Sequence, residues 1–160
     1  MDGLRLVAVG YGHPDATRLI DDVQAEYVAR YGGPDESPVD PLMFEPPHGT
    51  FLIGYAGDEP VATGAWRRTA VAALGTTVTA EIKRMYVVPS ARGNGHARAV
   101  LAELECTAAE AGIEALVLET GLRQPEAIGL YTSSGYTRVP GFGHYRDSPL
   151  SRCFAKRLDL

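Results

Sequence analysis

The chain has 160 residues, 45% of them hydrophobic and 22% charged, with a formal net charge of -5. That length suits one domain with a sizeable core, so residues 1–160 read as a single unit. The composition is that of an ordinary globular protein, and the acidic balance argues against nucleic acid as a partner while being compatible with a cationic substrate. No window nears the roughly 18 consecutive apolar residues of a membrane span. Met1-Asp2-Gly3-Leu4-Arg5 lacks the basic and apolar regions of a signal peptide, which makes the cytoplasm the expected location. Cys106 and Cys153 belong to no metal-ligand spacing and no Cys-x-x-Cys pair; two reduced, mostly buried thiols and no metal are expected.

Leu4 to Val9 alternates as a first strand, and Gly10 to Pro14 is a turn. Asp15 is placed to cap a helix through about Ala29, with Ala16, Leu19, Ile20, Val23 and Tyr27 as its apolar stripe. Residues 34 to 49 hold five prolines and little periodicity beyond a helical turn near Pro41 to Phe44. A loop this long is uncommon in a compact domain unless it covers a site, so it is the leading candidate for a substrate-side wall.

Thr50 to Ala56 and Pro60 to Arg68 form a hairpin about Gly57-Asp58-Glu59. After a soft linker, Thr77 to Val88 is a long strand that runs into Pro89-Ser90-Ala91-Arg92-Gly93-Asn94-Gly95-His96-Ala97. Gly93 to Gly112 reads as a helix with Ala97, Val100, Leu101, Leu104 and Ala108 toward the sheet. Ala115 to Glu119 is a short apolar strand, Pro125 opens a helix that closes at Ser133-Ser134-Gly135, and strands come after it at Tyr136 to Val139 and Cys153 to Leu158. These elements imply a mixed sheet with helices packed on it, of α/β or α+β class.

The loop at Gly93 and Gly95 is the most informative stretch. It lacks the Gly-x-Gly-x-x-Gly of a dinucleotide fold and the Gly-Lys-Ser/Thr of a nucleotide-hydrolase loop. Its spacing fits a coenzyme A pyrophosphate seat. N–H groups from about Gly93 to Arg98 have no helical acceptor, the glycines allow close approach, and Arg92 and Arg98 add positive charge. A helix start with a glycine turn and no ligand is the competing reading of these residues alone.

Arg92-Gly93-Asn94-Gly95-His96-Ala97 resembles the Arg/Gln-x-x-Gly-x-Gly/Ala signature of the GCN5-related N-acetyltransferase (GNAT) superfamily. Glu81 to Pro89 is similar to the strand before it. Gln124-Pro125-Glu126-Ala127-Ile128-Gly129-Leu130-Tyr131 to Tyr136 resembles the second signature, about 30 residues on. The resemblance implies a central, mostly antiparallel sheet flanked by helices, with a splay between two parallel strands. It implies acetyl-CoA as co-substrate, its pantetheine arm along Met85, Tyr86 and Val87, and its pyrophosphate over Arg92, Gly93, Asn94, Gly95, His96, Ala97 and Arg98. Gln124 and Ala127 would also touch it. Gln124 stands where relatives often have Asn; both amides donate and accept. His96, beside the phosphates, is placed as a rim residue rather than a base.

Tyr131 is the implied proton donor to the departing thiolate, or its hydrogen-bond partner; the competing reading is a core tyrosine. Glu81 and Glu119, on the strands flanking the splay, are the candidate bases. Either one instead pairs with Lys83, Arg84 or Arg67 in the alternative. Alternation puts Glu81 on one face with Lys83, Met85 and Val87. Tyr31, Phe44, Tyr145, Asp21, Asp22 and Glu26 are candidates for an aromatic or anionic acceptor cleft, together with the segment Phe142-Gly143-His144.

The activity implied is N-acetyl transfer to a primary amine of a small molecule by direct attack, in a monomer or homodimer. Acetylation of a protein N-terminus or lysine, and a non-catalytic acyl-CoA-binding sensor, are the alternatives.

Overall fold

The computed structural model describes residues 3–158; Met1 and Asp2, on which the reading of the N-terminus partly rests, lie outside the described residues. In chain order the elements are β1 (Arg5–Ala8), α1 (Pro14–Tyr31), a 3-10 turn (Pro41–Phe44), β2 (Gly49–Ala56), β3 (Glu59–Thr69), β4 (Thr79–Val87), a short 3-10 turn (Pro89–Ala91), α2 (His96–Glu110), β5 (Ala115–Gly121), α3 (Pro125–Ser133), β6 (Thr137–Val139) and β7 (Ser151–Arg157). The expected order of elements stands, and several ends move. α1 is capped by His13, whose ring accepts the Asp15 N–H, rather than by Asp15. α2 starts at His96 rather than Gly93, because Gly93 and Gly95 take φ +82° and +79° and cannot belong to a right-handed helix.

The strands form one seven-stranded sheet in the order β1-β2-β3-β4-β5-β7-β6. β4 and β5 are parallel neighbours; the other neighbouring pairs are antiparallel. α2 and α3 cover one face through Val100, Leu101, Leu104 and Tyr131, packed on Ile82, Leu116, Leu118 and Phe154. α1 and the turn at Phe44 cover the other through Ala16, Leu19 and Ile20, packed on Phe51, Ile53 and Ala65. Leu101 and Leu104 are almost fully buried, so truncating either to Ala would cost about 2–5 kcal/mol. Cys153 is buried as expected, but Cys106 is exposed, because it lies on the side of α2 turned from the sheet. No described helix is long and apolar enough to cross a membrane.

Two irregularities interrupt the sheet near its centre. Thr63 pairs with Tyr86 and Ala65 with Lys83, so one residue of β3 faces two of β4. This bulge puts Arg84 at φ +60°, a left-handed conformation that costs an L residue roughly 1–2 kcal/mol. Thr63 Oγ1 donates to the Arg84 carbonyl at 2.7 Å and helps to hold it. The extra residue also overturns the expected alternation. Met85 and Val87 pack on the α2 side with Ala80 and Ile82, whereas Tyr86 packs on the α1 side. Glu81 and Lys83 precede the bulge and therefore do not share a face with Met85 and Val87.

The second irregularity is the splay. β4 and β5 pair only at Thr79–Ala115, Ala80–Leu116 and Glu81–Val117. β5 continues on its other side with β7 as far as Gly121. Past Glu81, the β4 main chain therefore has a free edge toward β5.

Candidate active site

The free edge can be read from its hydrogen bonds. Val88 N–H donates to Val61 of β3, so its neighbour Val87 turns its main chain to the opposite, open side. There the Val87 carbonyl accepts from Arg92 Nε at 2.9 Å. Arg92 also donates to Glu26 Oε1 at 2.6 Å, which ties the head of the glycine loop to α1.

At the start of α2 no side chain caps the helix, and Gly95 is its left-handed N-cap. The N–H groups of the first turn thus face outward with no side-chain cap among the described residues. Asn94 Nδ2 donates to the Ala91 carbonyl at 3.0 Å and holds the loop from behind. Arg98 reaches across to the Ser133 and Ser134 hydroxyls at the end of α3. Loop, free edge and α3 enclose a cavity of about 880 Å³. Met85, Tyr86, Val87, Arg92, Gly93, Gly95, His96, Ala97, Arg98, Gln124, Ala127 and Tyr131 line it; Asn94 does not.

Tyr131 sits on α3 with its ring against Tyr136, centroids 5.7 Å apart. Its side chain belongs to the core, yet the residue lines the cavity, and no group among the described residues hydrogen-bonds its hydroxyl. Burial, and secondarily Tyr27, push the phenol well above its ordinary value, so it stays protonated. Tyr27 on α1 also lines the cavity and is pushed up to about 12, mainly by burial. Gln124 precedes α3 and accepts from the Tyr31 hydroxyl at 3.2 Å. This contact depends on Gly121, since a Cβ there would lie 1.8 Å from the Tyr31 oxygen.

The two candidate carboxylates part company. Glu81 is held by Arg67, whose Nη2 and Nε lie 3.0 and 3.2 Å from Oε1. It faces a second cavity of about 340 Å³, not the large one. Glu119 lines both and makes no ion pair among the described residues. Burial raises its carboxyl from 4.5 to about 7, against the opposing pull of Ser151 and Lys83. The Ser151 hydroxyl lies close enough to exert that pull, but it is sealed from solvent and has no hydrogen bond of good geometry among the described residues.

β5 residues Leu116 and Leu118 face α2 and α3, so Glu119 points to the other face of the sheet from Tyr131. The splay is the passage between them.

Sequence reasoning missed a polar cluster beside Glu119. Asp35, from the proline-rich loop, accepts from Lys83 Nζ at 3.0 Å and from Arg84 Nη1 at 2.8 Å on the same oxygen. Its other oxygen accepts from Ser37 N and Oγ. Burial would raise Asp35, but Lys83, Ser37 and Arg84 outweigh it and hold the carboxyl well below its usual range. The bulge that turns Arg84 inward left no mark in the sequence, because the left-handed position carries an arginine rather than a glycine.

Of the expected acceptor residues, Glu26, Tyr31 and Tyr145 line the large cavity, and Phe142, Gly143 and His144 the small one. Phe44 is core, stacked on Tyr11, because its ring fills the space between the loop and β2. Asp21 and Asp22 are exposed on the outer side of α1 and line neither cavity. No group of three His, Cys, Asp or Glu side chains converges as a metal site among the described residues.

Comparison with known proteins agrees with this geometry. The model described as acetyltransferase (GNAT) family matches residues 18–136. An IAA acetyltransferase from Azospirillum brasilense is 44% identical over 78 residues, which is 49% of this chain and 51% of that protein. The chain thus spans about half the length of the curated relative it matches. A candidate acyl-CoA N-acyltransferase from Klebsiella pneumoniae superposes with a TM-score of 0.76 at 28% identity over 97% of both chains. A GNAT family acetyltransferase from Elizabethkingia anophelis, solved with acetyl-CoA bound, gives 0.67 at 13% identity over 98% of this chain and 99% of that one. With a splayed β4–β5 pair at the head of a glycine-started helix and a family match over most of its length, the chain belongs to the acetyltransferase (GNAT) family.

Proposed function

We propose that this protein transfers an acetyl group from acetyl-CoA to a primary amine of a small molecule by direct attack. The observation that carries the reading is the splay. It joins a free β4 edge and an uncapped α2 N-terminus on one side to Glu119 on the other. The residues suit the co-substrate: outward N–H groups at Gly93 to Arg98 fit a pyrophosphate, and the edge at Met85 and Val87 fits the amides of a pantetheine arm. Acetyl-CoA supplies an activated thioester. The acetyl-CoA bound to the Elizabethkingia relative and the name of the Azospirillum relative support this choice.

Glu119, near half-ionised at neutral pH, takes the proton that an ammonium must lose before its nitrogen can attack. The Val87 main-chain N–H, turned to the open side, donates to the carbonyl oxygen as it gains charge. The new C–N bond forms as the C–S bond breaks. Glu119 passes that first proton to solvent, the nitrogen sheds its second proton to solvent in turn, and the sulfur leaves with a proton from Tyr131, which water restores. Glu81, paired to Arg67 outside the large cavity, holds that arginine rather than moving a proton. A pocket of about 340 Å³ on the acceptor side suits a metabolite better than a folded protein's lysine.

The test is release of CoA thiol from acetyl-CoA against a panel of amines, amino acids, polyamines, aminoglycosides and short peptides. Turnover on a small amine, cut in Tyr131→Phe with acetyl-CoA binding kept, is the expected result. Tight acetyl-CoA binding with release no faster than buffer across the panel would instead make the protein a binding module.

A further inference from the structure

The two cavities have two lining residues in common, Lys83 and Glu119. The register accounts for this. Glu81 and Val117 are the last pair of the parallel ladder, and two residues on, Lys83 and Glu119 occupy the next same-face positions. Lys83 precedes the β4 bulge and β5 runs in regular register through Glu119, so the two side chains stand on the same face at the mouth of the splay. They form no ion pair with one another among the described residues, and the space between them is the passage from the small cavity to the large one.

The polar groups at this passage are not all used. The Lys83 ammonium has three donors. Asp35 Oδ2 takes one at 3.0 Å and Ser37 Oγ another at 2.6 Å, leaving one N–H. Across from it the Glu119 carboxyl makes no ion pair and no well-formed side-chain hydrogen bond among the described residues, although the buried Ser151 hydroxyl is close enough to favour its charged form. One side of the passage thus offers a cationic donor and the other an anionic acceptor.

Charge sharpens this. Arg67 is matched by Glu81, but Lys83 and Arg84 share the single carboxylate of Asp35. One positive charge is therefore left over, and ionised Glu119 balances it. A zwitterion entering such a neutral cluster brings no net charge, whereas a bare ammonium brings one that is costly to bury. Arg68, at the wall of the small cavity, directs its hydrogen bonds to the Pro47 and Ala111 carbonyls and stands outside this cluster.

We propose that the acceptor is a small α-amino acid or close analogue, held across the mouth of the splay with its amine toward Glu119 and its carboxylate on the remaining N–H of Lys83. The side chain occupies the small cavity, between Met43, Val71 and Phe142. This rests on the acetyl-transfer reading and narrows it to one class of amine. A protein lysine, an amino-terminal peptide and a polyamine all lack the carboxylate beside the amine.

The test uses matched acceptors with the full chain and saturating acetyl-CoA. Free amino acids are compared with their α-carboxamides and with the amines left by decarboxylation, reading CoA thiol release. The free acids should exceed both partners about tenfold or more in kcat/KM. In Lys83→Met that ratio should collapse toward one, and Lys83→Arg should keep most of it. If Lys83 serves only to tether Asp35, Lys83→Met lowers all acceptors together and leaves the ratio unchanged, which overturns the proposal. Equal or better turnover of the amides or simple amines by the parent also overturns it, while leaving acetyl transfer intact. If acetyl-CoA binds and no amine of either kind is acetylated, both readings fall.

Discussion

The two cavities that meet at the splay are built from different materials. The large one is a main-chain site: the free edge of β4, the left-handed glycines of the loop and the N–H groups that open α2. The small one is a side-chain site: Arg67 and Glu81 from adjacent strands, Lys83, Glu119, and a loop that reaches in with Pro38 and Met43. In the proposed reading the main-chain site recognises what is common to all coenzyme A thioesters and asks little of residue identity beyond glycine. The side-chain site, in the same reading, recognises what distinguishes one amine from another, so each exchange of residue changes it.

That contrast predicts where substitutions act. The largest effect belongs to Glu119→Gln, which keeps shape and removes the proposed base. It should lower kcat by about 100-fold or more with little change in acetyl-CoA binding. In the parent, kcat/KM should rise with pH through about 7 as Glu119 ionises, and that limb should vanish in the variant. A parent profile flat between pH 6 and about 8 would remove Glu119 from the role.

Next comes Tyr131→Phe. The ring keeps its packing on Tyr136 while the donor is lost, so kcat should fall about tenfold or more and the KM for acetyl-CoA should stay within a few fold. Unchanged kcat would make Tyr131 the core tyrosine of the competing reading. On the main-chain side the pattern should invert. Gly95→Val forces a branched residue toward φ +79°, which should raise the KM for acetyl-CoA about tenfold and spare the acceptor KM.

The smallest effect is on stability, and its sign differs between two carboxylates. Asp35 is held below its usual 3.8, so the stability it adds is present above that pH and lost as the pH falls. Asp35→Asn should lower Tm at neutral pH, at about 2–4 °C per kcal/mol lost, and flatten the acid side of the Tm profile. Glu119 is raised, so the folded state favours its protonated form. Its contribution is present below 4.5 and lost as the pH rises through about 7. Glu119→Gln should therefore flatten the decline over that interval even as it removes activity. A Tm profile unchanged in both variants would mean that neither carboxyl is perturbed by folding.

The sequence carried the large cavity well and the small one poorly. Gly93 and Gly95 could be read because a left-handed turn before a helix leaves a residue signature. Leu101, Leu104 and Leu116 could be read because burial imposes a period. Glu81 stood out ahead of Glu119 in the sequence, and only their neighbours in space reverse that order: Arg67 beside one, a half-buried setting without an ion pair among the described residues for the other. Asp35 had no motif around it, and Arg84 gave no hint of its left-handed backbone. The alternation rule failed at that bulge, because one extra residue reverses the facing of those beyond it.

By itself, the sequence determined the order of elements, the apolar faces, the glycine loop before α2 and the resemblance these carry. All of them are local, set by residues within a few turns or one pleat of each other. Only the tertiary structure decided which face each β4 side chain takes, where the parallel ladder stops, and that Lys83 and Glu119 meet at the junction of two cavities. Those depend on contacts between segments far apart in the chain, such as Asp35 with Lys83 and Arg84, which no local pattern encodes.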